Sequence, residues 1–363
     1  MKANNTVKIG ISVGDLNGIG CEVALKTFLD SRMLSNCTPV FFASNKTMSS
    51  QISELNLDIK FHGIKDLSRI EAGKINVYQA FDTEFDLAFG QNTPEAGKLA
   101  VASLEAATKA LKEGQIDALV TAPINKSNIQ SETFSFPGHT DYLAKELEAE
   151  ALMFMVADCL RVGLLTDHIA VSKVSDTITT KLIRSKVVTM MKSLREDFGI
   201  IRPKIALLGI NPHSGDNGTI GEEDEKIMKP AVAELFEEGH LVFGPYAADG
   251  FFGSNSYTQF DAVLAAYHDQ GLVPFKTLSF GKGVNYTAGL SKVRTSPDHG
   301  TAYEIAGKGI ADESSFKEAV FTAVDVFRSR QDYAEMSSDV LKIQERKEKK
   351  DKNSSRQGAL KFL

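Results

Sequence analysis

Cysteine is scarce in this chain. Three of them, Cys21, Cys37 and Cys159, are spread over 363 residues, too few and too scattered for a disulfide framework or a cysteine-rich zinc site. They read as reduced thiols of a cytosolic protein. Basic charge is not in surplus either: 41 lysines and arginines against 47 acidic residues leave a net charge of -6, which gives no footprint for nucleic acid. No apolar run approaches membrane-spanning length, and the N-terminus runs into a strand without the charged-then-apolar pattern of a signal peptide. A G-x-G-x-x-G fingerprint is missing too. Gly14-Asp15-Leu16-Asn17-Gly18-Ile19-Gly20 does not fit it, nor does Gly281-Lys282-Gly283-Val284-Asn285-Tyr286, so no Rossmann signature is present. A cytoplasmic protein without nucleic-acid or membrane partners is expected, large enough for two ordinary domains or one two-lobed unit.

What the chain does have is a rhythm of short apolar strands and amphipathic helices. Strands are expected at Val7–Val13, Pro39–Ala43, near 59–61 and 75–78, at Ile116–Thr121, Arg161–Asp167, Lys204–Ile210 and Asp261–Tyr267. Helical periodicity covers Glu95–Glu113 and about Ser315–Arg328. This alternation argues for an α/β fold with a mostly parallel sheet covered by helices on both faces.

Three of the apolar runs stop in the same way. Each gives way to polar residues that include a histidine: His168 after the first, His213 in Asn-Pro-His-Ser-Gly after the second, and His268 in His-Asp-Gln-Gly after the third. Each alone is compatible with an ordinary loop histidine, since polar residues end most strands. Together, in a chain with seven histidines, they suggest imidazoles converging at the carboxyl edge of a sheet, where α/β proteins bind ligands. Three imidazoles suit zinc, cobalt, nickel or iron and leave positions open for a substrate.

Other stretches carry anion-binding chemistry. The glycine-rich turn at 14–20 either frees backbone N–H groups for an anion or only permits close packing. His139 and Thr140 precede a helix expected from about Leu143; they either bind a phosphate with free N–H groups, or Thr140 or Asp141 merely caps the helix. Lys276, Asn285 and Arg294 lie where glycines at 281, 283 and 289 argue against regular structure, and could grip a carboxylate or phosphate. Lys282 and Lys292 read as solvated surface. Residues 345–356 are dense in charge with no apolar face, so a solvated tail is expected.

Taken together, the stretches GDLNGIG, TAPINK, PGHT, LLTDH, NPHSGDNG, AYHDQGLVPFK and GVNYTAGLSKVRTSPDHGTAYEIAGKG closely resemble the 4-hydroxythreonine-4-phosphate dehydrogenase family of vitamin B6 biosynthesis, from about Lys8 to Arg328. The final stretch also looks like the adenosine-side loop of the isocitrate and isopropylmalate dehydrogenase superfamily. The resemblance implies a two-lobed α/β/α fold of that type. Residues 1–130 with 285–330 would form one lobe, residues 131–284 a second lobe with the metal site and dimer contacts, and 331–363 a charged tail. It implies that His168, His213 and His268 bind a divalent metal (zinc, cobalt or magnesium) across the interface of a homodimer. His139, Thr140, Lys276, Asn285 and Arg294 would contact a small phosphorylated substrate, and His299 and Gly300 would meet NAD or NADP.

The implied reaction is oxidation of 4-hydroxythreonine 4-phosphate to a β-keto acid, which loses carbon dioxide to give 3-amino-2-oxopropyl phosphate. The proton-moving residue is open among Asp249, Asp269 and Lys126. A related substrate, 4-phosphothreonate or 4-phosphoerythronate, is the nearer alternative, and a phosphate acyltransferase of the same superfamily the more distant one. One departure stands out: the family's usual GDPAGIG has Leu16 here in place of proline.

Overall fold

Twelve strands form one continuous sheet in this computed structural model, which describes residues 6–131, 134–136 and 138–338. They are β1 (Val7–Ser12), β2 (Cys37–Ala43), β3 (Phe61–Ile64), β4 (Ile75–Gln79), β5 (Ala118–Thr121), β6 (Leu152–Ala157), β7 (Leu160–Leu164), β8 (Lys204–Leu208), β9 (Leu241–Tyr246), β10 (Ala262–Ala265), β11 (Val284–Ala288) and β12 (Val293–Pro297). The spatial order is β3-β4-β2-β1-β5-β12-β11-β6-β7-β10-β8-β9. From β3 to β12 all neighbours are parallel, and so are those from β7 to β9. Between these two sets β11 and β6 run antiparallel to each other and to their outer neighbours. The expectation of a mostly parallel α/β sheet is met.

Burial explains the strand composition. Every residue of β2 is buried, as befits a strand covered on both faces, where an unbroken apolar run replaces alternation. The helices supply the covers. In the helix Pro94–Lys112, Thr93 caps the N-terminus through the Ala96 N–H and Pro94 occupies the first turn, while Leu99, Leu104, Ala107 and Leu111 face inward. The helix Ser314–Ser338 buries Phe316, Ala319, Val320, Ala323 and Val324 against β12, β11, β5 and β1. Among the described residues no helix is long and apolar enough to cross a membrane.

The structure corrects several sequence expectations. The segment thought to be denied regular structure by its glycines contains β11 and β12, with Asn285 and Arg294 inside strands and Lys276 inside the helix His268–Ser279. Gly281 and Gly289 take positive φ at the two ends of β11; they punctuate the strand and do not interrupt it. The last helix passes the expected end at Arg328 and runs to Ser338. Its extension is anchored by Arg330, which donates to Asp197 Oδ1 at 2.6 Å and to the Leu290 carbonyl at 3.1 Å. Of the expected charged tail, 331–338 is helical and the remainder lies outside the described residues.

Candidate active site

The three histidine-bearing strands are neighbours. β10 lies between β7 and β8, parallel to both, so their carboxyl ends fall on one edge of the sheet, as the sequence suggested. His268 opens a helix and not a loop, and its ring lies 5.9 Å from that of His168 at 45°. His213 does not join them. It sits at φ 53° on an exposed turn whose flanking residues are held elsewhere: the backbone N–H groups of Ile210 and Asn211 and the Asn211 side chain all donate to the buried Asp224 carboxylate. Two imidazoles are suitable donors for a divalent ion but too few for the three-ligand site of a catalytic metal. Among the described residues no group of three or more His, Cys, Asp or Glu is arranged to hold a metal.

His168 and His268 border a cavity of about 290 Å3. The loop after β5 enters it with Lys126, the helix His139–Glu146 with His139 and Thr140, and β11 and β12 with Asn285 and Arg294. Lys276, His299 and Gly300 complete its rim. All five residues expected at the phosphorylated substrate therefore face one space, and so do both expected at the cofactor.

Arg294 dominates the electrostatics. It is 1% exposed, and among the described residues its guanidinium donates only to hydroxyls: to Thr121 Oγ1 from Nε at 3.1 Å and Nη2 at 2.6 Å, and to Thr287 Oγ1 from Nη1 at 3.0 Å. Burial pushes its pKa down to about 9. A buried cation without a carboxylate partner is costly, and an anionic ligand would offset that cost. His139 feels the same field: burial first, then the charges of Arg294 and Lys126, hold its imidazole well below the usual histidine range. It is therefore neutral at pH 7 and able to donate to a phosphate oxygen. His139 Nε2, Asn285 Oδ1 and His299 Nε2 are buried without a partner among the described residues, unusual in a folded interior and consistent with a site shaped for a polar guest.

At the mouth, Lys126 Nζ lies 3.4 Å from His168 Nε2. An ammonium donating there leaves the ring proton on Nδ1, the side of Asp167 at 3.9 Å. Burial, then Lys126, lowers the His168 pKa. His268 Nδ1 is 2.7 Å from Asp269 Oδ1, which fixes that ring. Of the three groups considered for proton transfer, Lys126 lines the cavity, Asp269 is engaged with His268, and Asp249 sits in the separate helix Ala248–Gly253.

Two open readings are decided by geometry. The helix expected from Leu143 begins at His139, and its N-cap is Gly138 with no side-chain bond, so neither Thr140 nor Asp141 is a cap; Pro137 of the same motif lies outside the described residues. The glycine-rich turn at 14–20 serves packing. A Cβ at Gly14, at φ +65°, would lie 2.3 Å from the Pro123 carbonyl oxygen, while the Asp15 and Ile19 N–H groups are spent on Pro123 and Thr301. The buried Asp15 carboxylate then accepts from Asn128 and the Tyr303 hydroxyl, tying the Lys126 loop to the segment after His299. Leu16 is fully buried and its carbonyl accepts from Gln51. Sequence reasoning missed Thr121 and Thr287 as partners of Arg294; Thr121 opens the quoted TAPINK, but nothing in the sequence ties its hydroxyl to a residue so far along the chain.

Residues 35–323 match the family described as pyridoxal phosphate biosynthetic protein PdxA. The chain belongs to this family. It is 49% identical over 329 residues to a 4-hydroxythreonine-4-phosphate dehydrogenase of Bacteroides thetaiotaomicron, covering 90% of each chain. A protein of Oceanobacillus iheyensis provisionally named D-threonate 4-phosphate dehydrogenase is 37% identical, with 88% of this chain and 97% of that one covered. Among solved structures, a 4-hydroxythreonine-4-phosphate dehydrogenase from Klebsiella pneumoniae superposes with a TM-score of 0.77 at 31% identity, covering 89% of this chain and 98% of that one.

Proposed function

We propose that this PdxA-family chain is the NAD- or NADP-dependent dehydrogenase of 4-hydroxythreonine 4-phosphate, working with a divalent metal as a cytoplasmic homodimer. The observation that carries the reading is the buried guanidinium of Arg294, with no carboxylate partner among the described residues, beside neutral His139 and the unpartnered Asn285 Oδ1. A phosphate ester matches that set: the planar fork of Arg294 and the Lys276 ammonium take its charge, and Thr140 and His139 donate to its remaining oxygens. Asn285 Oδ1 is an acceptor for the substrate ammonium or hydroxyl.

Oxidation at C3 removes a hydroxyl proton and sends a hydride to the nicotinamide. Lys126, beside His168 at the mouth, would take that proton as a neutral amine, after passing its own to His168 Nε2. His299 and Gly300 border the cavity where the cofactor would enter. His168 and His268 would hold zinc, cobalt or magnesium, with His213 supplied by a second copy of the chain. When bound, such an ion lowers the pKa of an alcohol and stabilises the enolate left by decarboxylation to 3-amino-2-oxopropyl phosphate. The lobes follow the sheet, with residues 1–130 and 285–330 on one side and 131–284 on the other.

A second reading keeps the machinery and changes the substrate to a phosphorylated threonate or erythronate, favoured by the Oceanobacillus relative. Acyl transfer to phosphate would leave the paired imidazoles unused and is not proposed. Steady-state assays of the metal-loaded protein against 4-hydroxythreonine 4-phosphate and D-threonate 4-phosphate, each with NAD and NADP, test the assignment. The aminated substrate should show the higher kcat/KM. A preference for threonate selects the second reading, and reduction of neither cofactor with either substrate rejects both.

A further inference from the structure

Behind the catalytic cavity lies a second and larger one of about 520 Å3. Its floor includes Val156 and Val284, which pair in register across β6 and β11, while the next pair along, Met155 and Asn285, points into the first cavity. Adjacent strand residues project to opposite faces, so the two cavities sit back to back on one pair of strands.

The walls of this second cavity are unlike each other. On one side the helix Ser314–Ser338 presents Glu318, Thr322 and Asp325 along a single stripe, and Asp158 in the β6–β7 turn adds a third carboxylate. Burial, with Asp158 next in weight, holds the Glu318 carboxyl above its usual range against the pull of Lys282 and Lys317. On the other side Arg161 lies with its guanidinium 4.9 Å from the Phe198 ring centre and its Nε buried without a partner. Among the described residues its Nη1 reaches the Asp261 carbonyl, at 3.5 Å, and Asp158 acts on its charge through space. Ser279, 6% exposed, has its Oγ buried and equally unpartnered. Lys282 also lines the cavity, so a single lysine faces three carboxylates on the first wall, while on the second Arg161 Nε and Ser279 Oγ have no hydrogen-bond partner among the described residues, with valines and an aromatic ring between.

We propose that this cavity binds a small zwitterion, an amino acid with an apolar side chain. The ammonium sits against Glu318, Asp325 and Asp158, the carboxylate against Arg161 Nε and Ser279 Oγ, and the side chain over Val156, Val284 and Phe198. A metal cation would satisfy the acidic stripe and leave Arg161 and Ser279 unpaired; a phosphate would do the reverse. The cavity has room for an amino acid and bridging water.

Cys159 gives a direct reporter. It lines this cavity and is exposed, whereas Cys21 and Cys37 are buried. Its alkylation by iodoacetamide in the full-length, metal-loaded protein, followed by mass spectrometry, should slow ~10-fold at an L-leucine concentration ten times its Kd. N-acetyl-L-leucine, lacking the ammonium, and L-leucinamide, lacking the carboxylate, should protect far less. Glu318→Gln and Arg161→Gln should each weaken leucine binding ~10-fold or more, as loss of a charge-assisted hydrogen bond does. Calorimetric titration of the unsubstituted protein with the three compounds decides the matter even if a variant fails to fold. Protection by all three alike, protection unaffected by Glu318→Gln in a folded variant, or no binding of leucine would each overturn the proposal.

Discussion

Arg294 Nη2 lies 2.6 Å from the Thr121 hydroxyl, and that hydroxyl takes the place a carboxylate would occupy in an ordinary buried ion pair. A threonine satisfies the hydrogen-bonding geometry of the guanidinium and leaves its charge available. Arg294→Lys should keep the charge and lose the fork, raising the substrate KM ~10-fold or more while the Kd for NAD stays near normal. An unchanged KM would place the phosphate elsewhere. Arg294→Met should hold or raise the thermal midpoint while abolishing substrate binding, because an unpaired buried charge is replaced by an apolar chain of similar volume.

Thr121→Val keeps the shape and deletes the acceptor for two of the three guanidinium bonds. Leaving those donors unsatisfied should cost ~1–3 kcal/mol, read as a shift in the denaturation midpoint. Added inorganic phosphate should restore part of that loss, since it binds the folded state alone. A midpoint equal to that of the unsubstituted protein would mean the hydroxyl is dispensable.

His139 gives a pH prediction of definite sign. Its folded pKa is depressed, so below the unfolded value of about 6.5 the unfolded chain binds a proton that the folded chain refuses. Stability should therefore fall as pH drops through that range and level off above it, with up to about one proton of slope from this residue. His139→Gln should flatten the acid limb by that amount. Substrate phosphate beside Arg294 and Lys126 should raise the imidazole pKa, visible as a shifted titration of its ring protons by NMR.

On the opposite face of β11, the Tyr286 hydroxyl donates to Asp197 Oδ2 at 2.5 Å and accepts from Arg330 at 2.9 Å. Tyr286→Phe should lower the unfolding free energy by ~1–3 kcal/mol yet leave kcat nearly intact, because the hydroxyl points away from the cavity bordered by His168 and His268. A kcat loss as large as that of Arg294→Lys would contradict this division of faces.

The placing of His168 and His268 in one chain sharpens the assembly test. Mixed dimers of His213→Ala with His268→Ala should regain activity, with one site drawing His168 and His268 from one chain and His213 from the other. Mixtures of His168→Ala with His268→Ala should stay inactive, since neither chain then carries a complete pair. The reverse outcome would divide the ligands differently between subunits.

Local signals made half of this site legible. Asp261–Tyr267 reads as a buried strand, observed over Ala262–Ala265, because its apolar run ends abruptly at His268-Asp269-Gln270-Gly271, and the same contrast marks His168 and His213. The strands carrying Asn285 and Arg294 were hidden, because glycines that merely bracket β11 look like glycines that dissolve structure. The turn that carries His213 was hidden for another reason: next to it Asp224 grips Asn211 from further along the chain, and no local pattern encodes a tether of that kind. The burial of Arg294 was equally out of reach, since arginine is a surface residue by composition and only β5 and β11 on either side of β12 enclose it.

The position of β12 between β5 and β11 also governs the order in which the chain can fold. Leaving the ribosome, β1 to β5 can pair early, but β5 then presents an open edge until residues 293–297 arrive and close it, after the whole segment from β6 to β10 has been made. Register across that seam joins Leu119 to Arg294, a contact of long sequence separation whose loop-closure cost slows assembly. A chain arrested before residue 284 would lack both β11 and β12 and keep the β5 edge exposed, a template for pairing with other chains. The strand that carries Arg294 is thus also the one that seals the sheet, so synthesis cannot complete the cavity before it closes the β5 edge.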